Sequence, residues 1–148
     1  MKKGFTLIEV CITLAVFFLV LPLTFMVMGK VYTHSARIKT LNDMKQSSAE
    51  IYAKIQGDMG RNHTVEVKGD NHGISIQDPG GAIDYVFEKS SIYRKKGGVS
   101  TPVGSSPVDD ATFVLHAQDL TINLVFSSVN SVTRKTETLK TMESLPLR

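Results

Sequence analysis

"FTLIEVCITLAVFFLVLPLTFMVM" (residues 5–28) is the stretch on which the fold turns. It holds 24 residues, and Glu9 is its only charged side chain. As a helix it extends about 36 Å at ~1.5 Å per residue, enough to cross a hydrocarbon layer of roughly 30 Å with some tilt. The hydrophobic core of a secretory signal is shorter, about 7 to 15 residues. Nor does "MVMGK" (26–30) offer a small-x-small cleavage site, so the segment is expected to stay as an anchor. Lys2 and Lys3 place the short N-terminus in the cytoplasm by the positive-inside rule, and the rest of the chain outside it. Lys30, Arg37 and Lys39 oppose that bias, but they belong to a domain that must lie whole on one side.

The sequence of 148 residues fits one domain with an appendage. After Gly29 the composition turns polar, and residues 30–148 suffice for a small water-exposed domain. The net charge is +3. Without residues 1–4, and hence without Lys2 and Lys3, 15 basic side chains would face 14 acidic ones. Such a balance argues against a nucleic-acid-binding chain. Cys11 is the single cysteine and lies in the apolar run, where a thiol acts as inert packing.

The helical pattern continues past the anchor. Between Lys30 and Met59 there is no proline, and Ile38, Leu41, Met44, Ser48, Ile51, Ile55 and Met59 recur at steps of three and four. One helix from about Phe5 to about Asp58 is expected, ended by the glycines of "GDMGRN" (57–62). Pro22 and Gly29 are its places for a kink or local melting.

Alternation then replaces the helical period. Strands are expected at 64–69 and 73–77 as one hairpin, and at 82–88 and 91–95 as a second hairpin across Lys89 and Ser90. The Gly, Ser and Pro of "KKGGVSTPVGSSPVDD" (95–110) read as a loop. Strands follow at 112–117 and 120–128, with a polar edge strand at 131–139 and a tail, 140–148, that is loose or forms an edge. The fold class is α+β, a long N-terminal helix on a small, mainly antiparallel sheet.

Few residues carry chemistry. His34, His63, His72 and His116 have no partners at metal-ligand spacing. Asp109 and Asp110 read as a solvated turn rather than a calcium site. Arg94, Lys95 and Lys96 form a basic knot, read as a solvated edge rather than a DNA contact. "NHT" (62–64) fits a glycosylation sequon that occurs often by chance. Phosphate loop, nucleophile elbow and acid–base pair are all missing from the sequence, so no enzyme, cofactor or metal is expected.

Glu9 is the anomaly. A carboxylate at the centre of a membrane helix costs about 2.5 kcal/mol or more, so it should have a partner or a role. Alternatively it snorkels toward the interface, as charges near helix ends can.

The run "KKGFTLIEV" (2–10) resembles the processing site of type IV pilins and pseudopilins. That resemblance implies a leader, residues 1–4, cut by a prepilin peptidase between Gly4 and Phe5, with N-methylation of Phe5. It also implies residues 5–29 as the transmembrane and assembly half of the helix, and residues 30–148 as a pilin-like domain. Glu9 would then serve assembly: the new amine, cationic at neutral pH, would meet Glu9 of a neighbouring subunit. The partners implied are other pilin or pseudopilin subunits, the prepilin peptidase, an inner-membrane assembly platform and the membrane itself. The site implied is a single-pass inner-membrane protein that passes into a pilus or pseudopilus.

"IDYVFEKSSIYRK" (83–95) and "LTINLVF" (120–126) resemble segments of minor pilins and of the J-type minor pseudopilin of type II secretion. "DPGG" (78–81) matches the major pseudopilin only in part, and a cysteine pair for a pilin disulfide loop is missing from the sequence. A DNA-uptake pseudopilin is the runner-up within this class. Outside it stands a membrane-tethered extracytoplasmic binding module.

Overall fold

The computed structural model describes residues 6–60 and 64–147. Its architecture is α+β, one long N-terminal helix packed on antiparallel sheet. The helix, α1, runs Leu7–Asp58 over 52 residues. It passes through Pro22 and Gly29 without interruption, so neither residue melts it. Pro22 forfeits only its own donor to the Phe18 carbonyl.

Two sheets replace the single expected one. The first contains β1 (Thr64–Val67), β2 (Gly73–Asp78), β3 (Gly81–Glu88), β4 (Ser91–Lys96) and β5 (Val99–Val103), in chain order. The second contains β6 (Val108–Leu115), β7 (Asp119–Val129) and β8 (Thr136–Pro146). Strand alternation sets what each buries. Ile76 lies opposite Ile83 and Ile74 opposite Tyr85 in the first sheet, and all four are buried. In β7, Leu120, Ile122, Leu124 and Phe126 point inward at every second position. These side chains meet Met44, Ile51, Tyr52 and Ile55 of α1 in one core.

The division arises in the segment read as a loop. Gly97 (φ 58°) and Gly98 (φ 83°) supply two consecutive positive φ angles, the requirement of a tight two-residue hairpin, so β4 turns directly into β5. Pro102 is tolerated because β5 is an edge strand. Lys89 (φ 49°) and Ser90 (φ 62°) make the same turn between β3 and β4, where the hairpin was expected. The chain then leaves the first sheet at Gly104 and begins the second at Val108. Backbone bonds tie β6 to the hairpin turns, Val108 N–H to the Ser90 carbonyl (3.0 Å) and Phe113 N–H to the Asn71 carbonyl (2.8 Å). Asp109 falls at an irregularity in the pairing of β6 with β7.

The last strand also differs from its expected place. Asn130 is buried and its Oδ1 accepts from Val132 N–H (2.9 Å) and Thr133 N–H (3.0 Å). Arg134 takes a φ of 57°. This side-chain-closed turn consumes 130–135, so β8 starts at Thr136 and takes in most of the tail.

Polar contacts fix α1 to the link between the sheets and to β8. Ser47 Oγ, buried, accepts from Ser105 N–H and Ser106 N–H, each at 3.0 Å. The Tyr52 hydroxyl meets Thr141 Oγ1 at 2.8 Å, and Arg37 pairs with Glu137 at 3.1 Å. Gly104 presses on the same helical face at φ 89°, where an added Cβ would stand 2.7 Å from Ser47 Oγ and 3.0 Å from Ile51 Cδ1. Gly104→Ala is therefore expected to cost about 2 kcal/mol, through left-handed strain and overpacking, in denaturant unfolding of the full chain in detergent. An unchanged midpoint would contradict this packing.

Candidate functional site

The described chain begins at the helix cap. Thr6 is extended (φ −77°, ψ 151°) and its hydroxyl accepts from Glu9 N–H at 3.4 Å. In return Glu9 Oε2 accepts from Thr6 N–H (2.8 Å) and from the Thr6 hydroxyl (2.9 Å). This reciprocal capping box satisfies two donors that a helix start otherwise leaves open, and it puts a carboxylate on the positive end of the helix dipole. Both bonds use Oε2, so among the described residues Oε1 keeps its lone pairs. Gly4 and Phe5, the expected processing residues, lie outside the described residues.

Past the cap, α1 buries nothing of its own for several turns. In its most apolar stretch no residue is buried. Leu7, Phe18, Leu19, Leu23 and Phe25 are each more than 60% exposed. The hydroxyls in this stretch are silenced within the helix, Thr13 donating to the Glu9 carbonyl (2.7 Å) and Thr24 to the Val20 carbonyl (3.0 Å). Glu9 is thus the one charged group on a rod otherwise suited to lipid or to other apolar helices. This helix is long and apolar enough to cross a membrane once. The Cys11 thiol is free and exposed on it.

At its far end the helix is clamped. Asp58, its last residue, receives a fork from Arg94 of β4, Nη2 to Oδ1 at 3.0 Å and Nε to Oδ2 at 2.5 Å. The Tyr85 hydroxyl also donates to Oδ2. Burial alone would raise the Asp58 pKa, yet the hydrogen bonds of Arg94 and Tyr85 and the charges of Arg94 and Lys54 bring it below the usual carboxylate value. Burial and the facing carboxylate push the Tyr85 hydroxyl up, and the Asp58 bond holds Arg94 cationic.

The basic knot is not a free patch. Arg94 is spent on Asp58, Lys95 pairs with Glu88 at 2.7 Å, and Lys96 pairs with Asp78 at 3.2 Å. Asp110 lies in β6 rather than in a loop, with His72 Nε2 at 3.5 Å, and His72 stacks on Phe87. His34 is exposed on α1, and the His116 N–H donates to the Asp119 carbonyl. His63 and most of the "NHT" sequon lie outside the described residues. Among the described residues, no three His, Cys, Asp or Glu side chains gather to hold a metal ion.

Two of these features were missed in the sequence, with different excuses. The capping box is spelled by "TLIE" (6–9), a threonine three residues before a glutamate at the head of an apolar run. The clamp joins residues 27 and 36 positions apart and leaves no local signature. No protein-family model matches this chain, and neither a curated protein nor a solved structure matches it.

Proposed function

We propose that this chain is a pilin-like structural subunit of a type IV pilus or type II secretion pseudopilus. The observation that carries the proposal is the exposed half of α1. It is a membrane-length apolar rod with one carboxylate near its tip, continuous with a half that is packed into the domain core. Such a rod needs lipid before assembly and can exchange it for neighbouring helices afterwards.

In this reading the leader, residues 1–4, is cut after Gly4, which creates a cationic amine on Phe5, one residue before the Thr6 cap. Glu9 Oε2 stays with its own Thr6. Oε1 accepts the amine of a neighbouring subunit inside the apolar bundle, where an ion pair is weakly screened. The pairing offsets adjacent helices by about one turn, and an uncut leader would keep the charged terminus away from it. The chain supplies structure only, with mechanical work coming from the assembly machinery. Within this class a minor pilin or J-type minor pseudopilin fits the hairpin of β3 and β4 best, with a DNA-uptake pseudopilin as runner-up.

One observation favours a second reading. The capping box satisfies Glu9 within its own chain, as a simple membrane tether carrying an extracytoplasmic binding module would require. Intact-mass spectrometry of the chain from hosts with and without a prepilin peptidase separates the two. The filament reading expects loss of residues 1–4 and one added methyl group only where the peptidase is present. An unprocessed mass in both hosts would leave the tether.

A further inference from the structure

Leu7 to Gly29 spans 23 residues, about 34 Å as a helix, against a hydrocarbon thickness of roughly 30 Å. Lys30 therefore emerges into the headgroup layer, which adds about 5–7 Å on each side. From Lys30 to Arg37 the helix rises only about 10 Å more. Along this rise a cleft of about 480 Å³ separates α1 from the chain joining β7 to β8. Lys30, His34 and Arg37 line it from the helix, and Thr133, Lys135 and Glu137 from the opposite wall.

The wall is preformed, because the buried Asn130 closes the turn that carries Thr133. Three Lys and Arg cations face one carboxylate. That carboxylate engages only Nε of Arg37 among the described residues, so the other guanidinium donors are not spent on it. Lys30 and Lys135 make no side-chain hydrogen bond or ion pair among the described residues. Directly below, Leu19, Leu23 and Met26 share the helical face of Lys30, Thr33 and Arg37, at alternating steps of four and three, and are 72%, 64% and 60% exposed.

A cationic pocket whose Lys30 end lies at headgroup height, above an apolar stripe, suits one kind of molecule. We propose that this cleft binds the phosphate of an anionic membrane phospholipid, with the acyl chains lying along Leu19, Leu23 and Met26. The site gives a purpose to Lys30 and Arg37, cations on the side of the membrane that the positive-inside rule would leave poor in them. It depends on the membrane span of α1 and not on filament assembly.

The test is native mass spectrometry of the full chain in detergent, offered phosphatidylglycerol or phosphatidylcholine with the same acyl chains. The intact chain is expected to retain phosphatidylglycerol at least ten-fold better. Lys30→Gln with Lys135→Gln is expected to lower that retention about 25-fold, some five-fold for each cation removed. A control, Lys45→Gln with Lys140→Gln, removes two exposed lysines outside the cleft and should retain the lipid as the parent does. Equal retention of the two lipids by the parent, or unchanged retention by the cleft variant, would overturn the proposal. So would a cleft variant that loses chain-to-chain cross-linking while keeping its lipid, because the cleft would then be a subunit contact.

Discussion

Glu9→Gln is expected to abolish cross-linked multimers of this chain in the cell that encodes it, while leaving the protein in the membrane. Thr6→Ala is expected to reduce them only slightly. The two substitutions separate the cap that the geometry shows from the intersubunit pairing that we propose for the same carboxylate. Glutamine at the third helical position still completes a capping box, so Glu9→Gln keeps the local bonds and deletes the charge. Loss of one partner from an ion pair buried in an apolar bundle costs about 3 kcal/mol, over a hundred-fold in association. Thr6→Ala keeps the charge and loses the cap, worth about 1 kcal/mol, a five-fold effect at most. If instead Glu9→Gln assembled normally and Thr6→Ala failed, Glu9 would be a helix cap and nothing more.

The second large effect is expected at the opposite end of the helix. Asp58→Ala should destabilise the full chain in detergent by about 3 kcal/mol, read from denaturant unfolding followed by tyrosine fluorescence. Asp58 stands at the negative end of the helix dipole, and the last turn holds no basic residue. Arg94 reaches across from β4 to supply the missing cation, and the fully buried Tyr85 directs its hydroxyl to the same carboxylate. Removing Asp58 leaves a guanidinium and a phenol without their acceptor, in a site where the Arg94 side chain is only 19% exposed.

The same contacts set a pH dependence. Asp58 has its pKa lowered on folding, so its contribution is complete above the ordinary carboxylate value of about 4 and is lost as the pH falls through the lower folded value. Asp58→Asn should flatten that acid limb of the stability curve. An acid limb identical in Asp58→Asn and the parent would place the titration elsewhere.

Legibility in the sequence followed the range of each interaction. Helix α1 was readable to within two residues at its start, because a membrane-length apolar run and a three- and four-residue stripe are local patterns. Ile38 was placed on that stripe yet is 45% exposed, since the apolar core reaches the helix only from about Leu41 onward. Ser47 and Tyr52 were missed as buried positions, because polar groups become buried only when partners come from 105–106 and Thr141. The two hairpins before residue 96 were legible from alternation. The third was hidden by composition, since Gly97 and Gly98 read as loop residues until their positive φ angles are seen to close a turn. The edge strand was displaced because Asn130 and its turn, rather than the polar run after it, decide where β8 begins. For the candidate site, Glu9 was legible as an isolated charge, while its bond to Thr6 was written in the sequence and passed over. The basic knot was legible as charge but not as three ion pairs, whose acids come from α1, β2 and β3.

We propose that cleavage between Gly4 and Phe5 licenses assembly through Glu9. The most direct test is the intact mass of chains recovered from the cross-linked multimers, compared with those left as monomers in the membrane. Every chain in the multimers is expected to start at a methylated Phe5, with full-length chains only among the monomers. Multimers built from chains that still carry Met1 to Gly4 would contradict it.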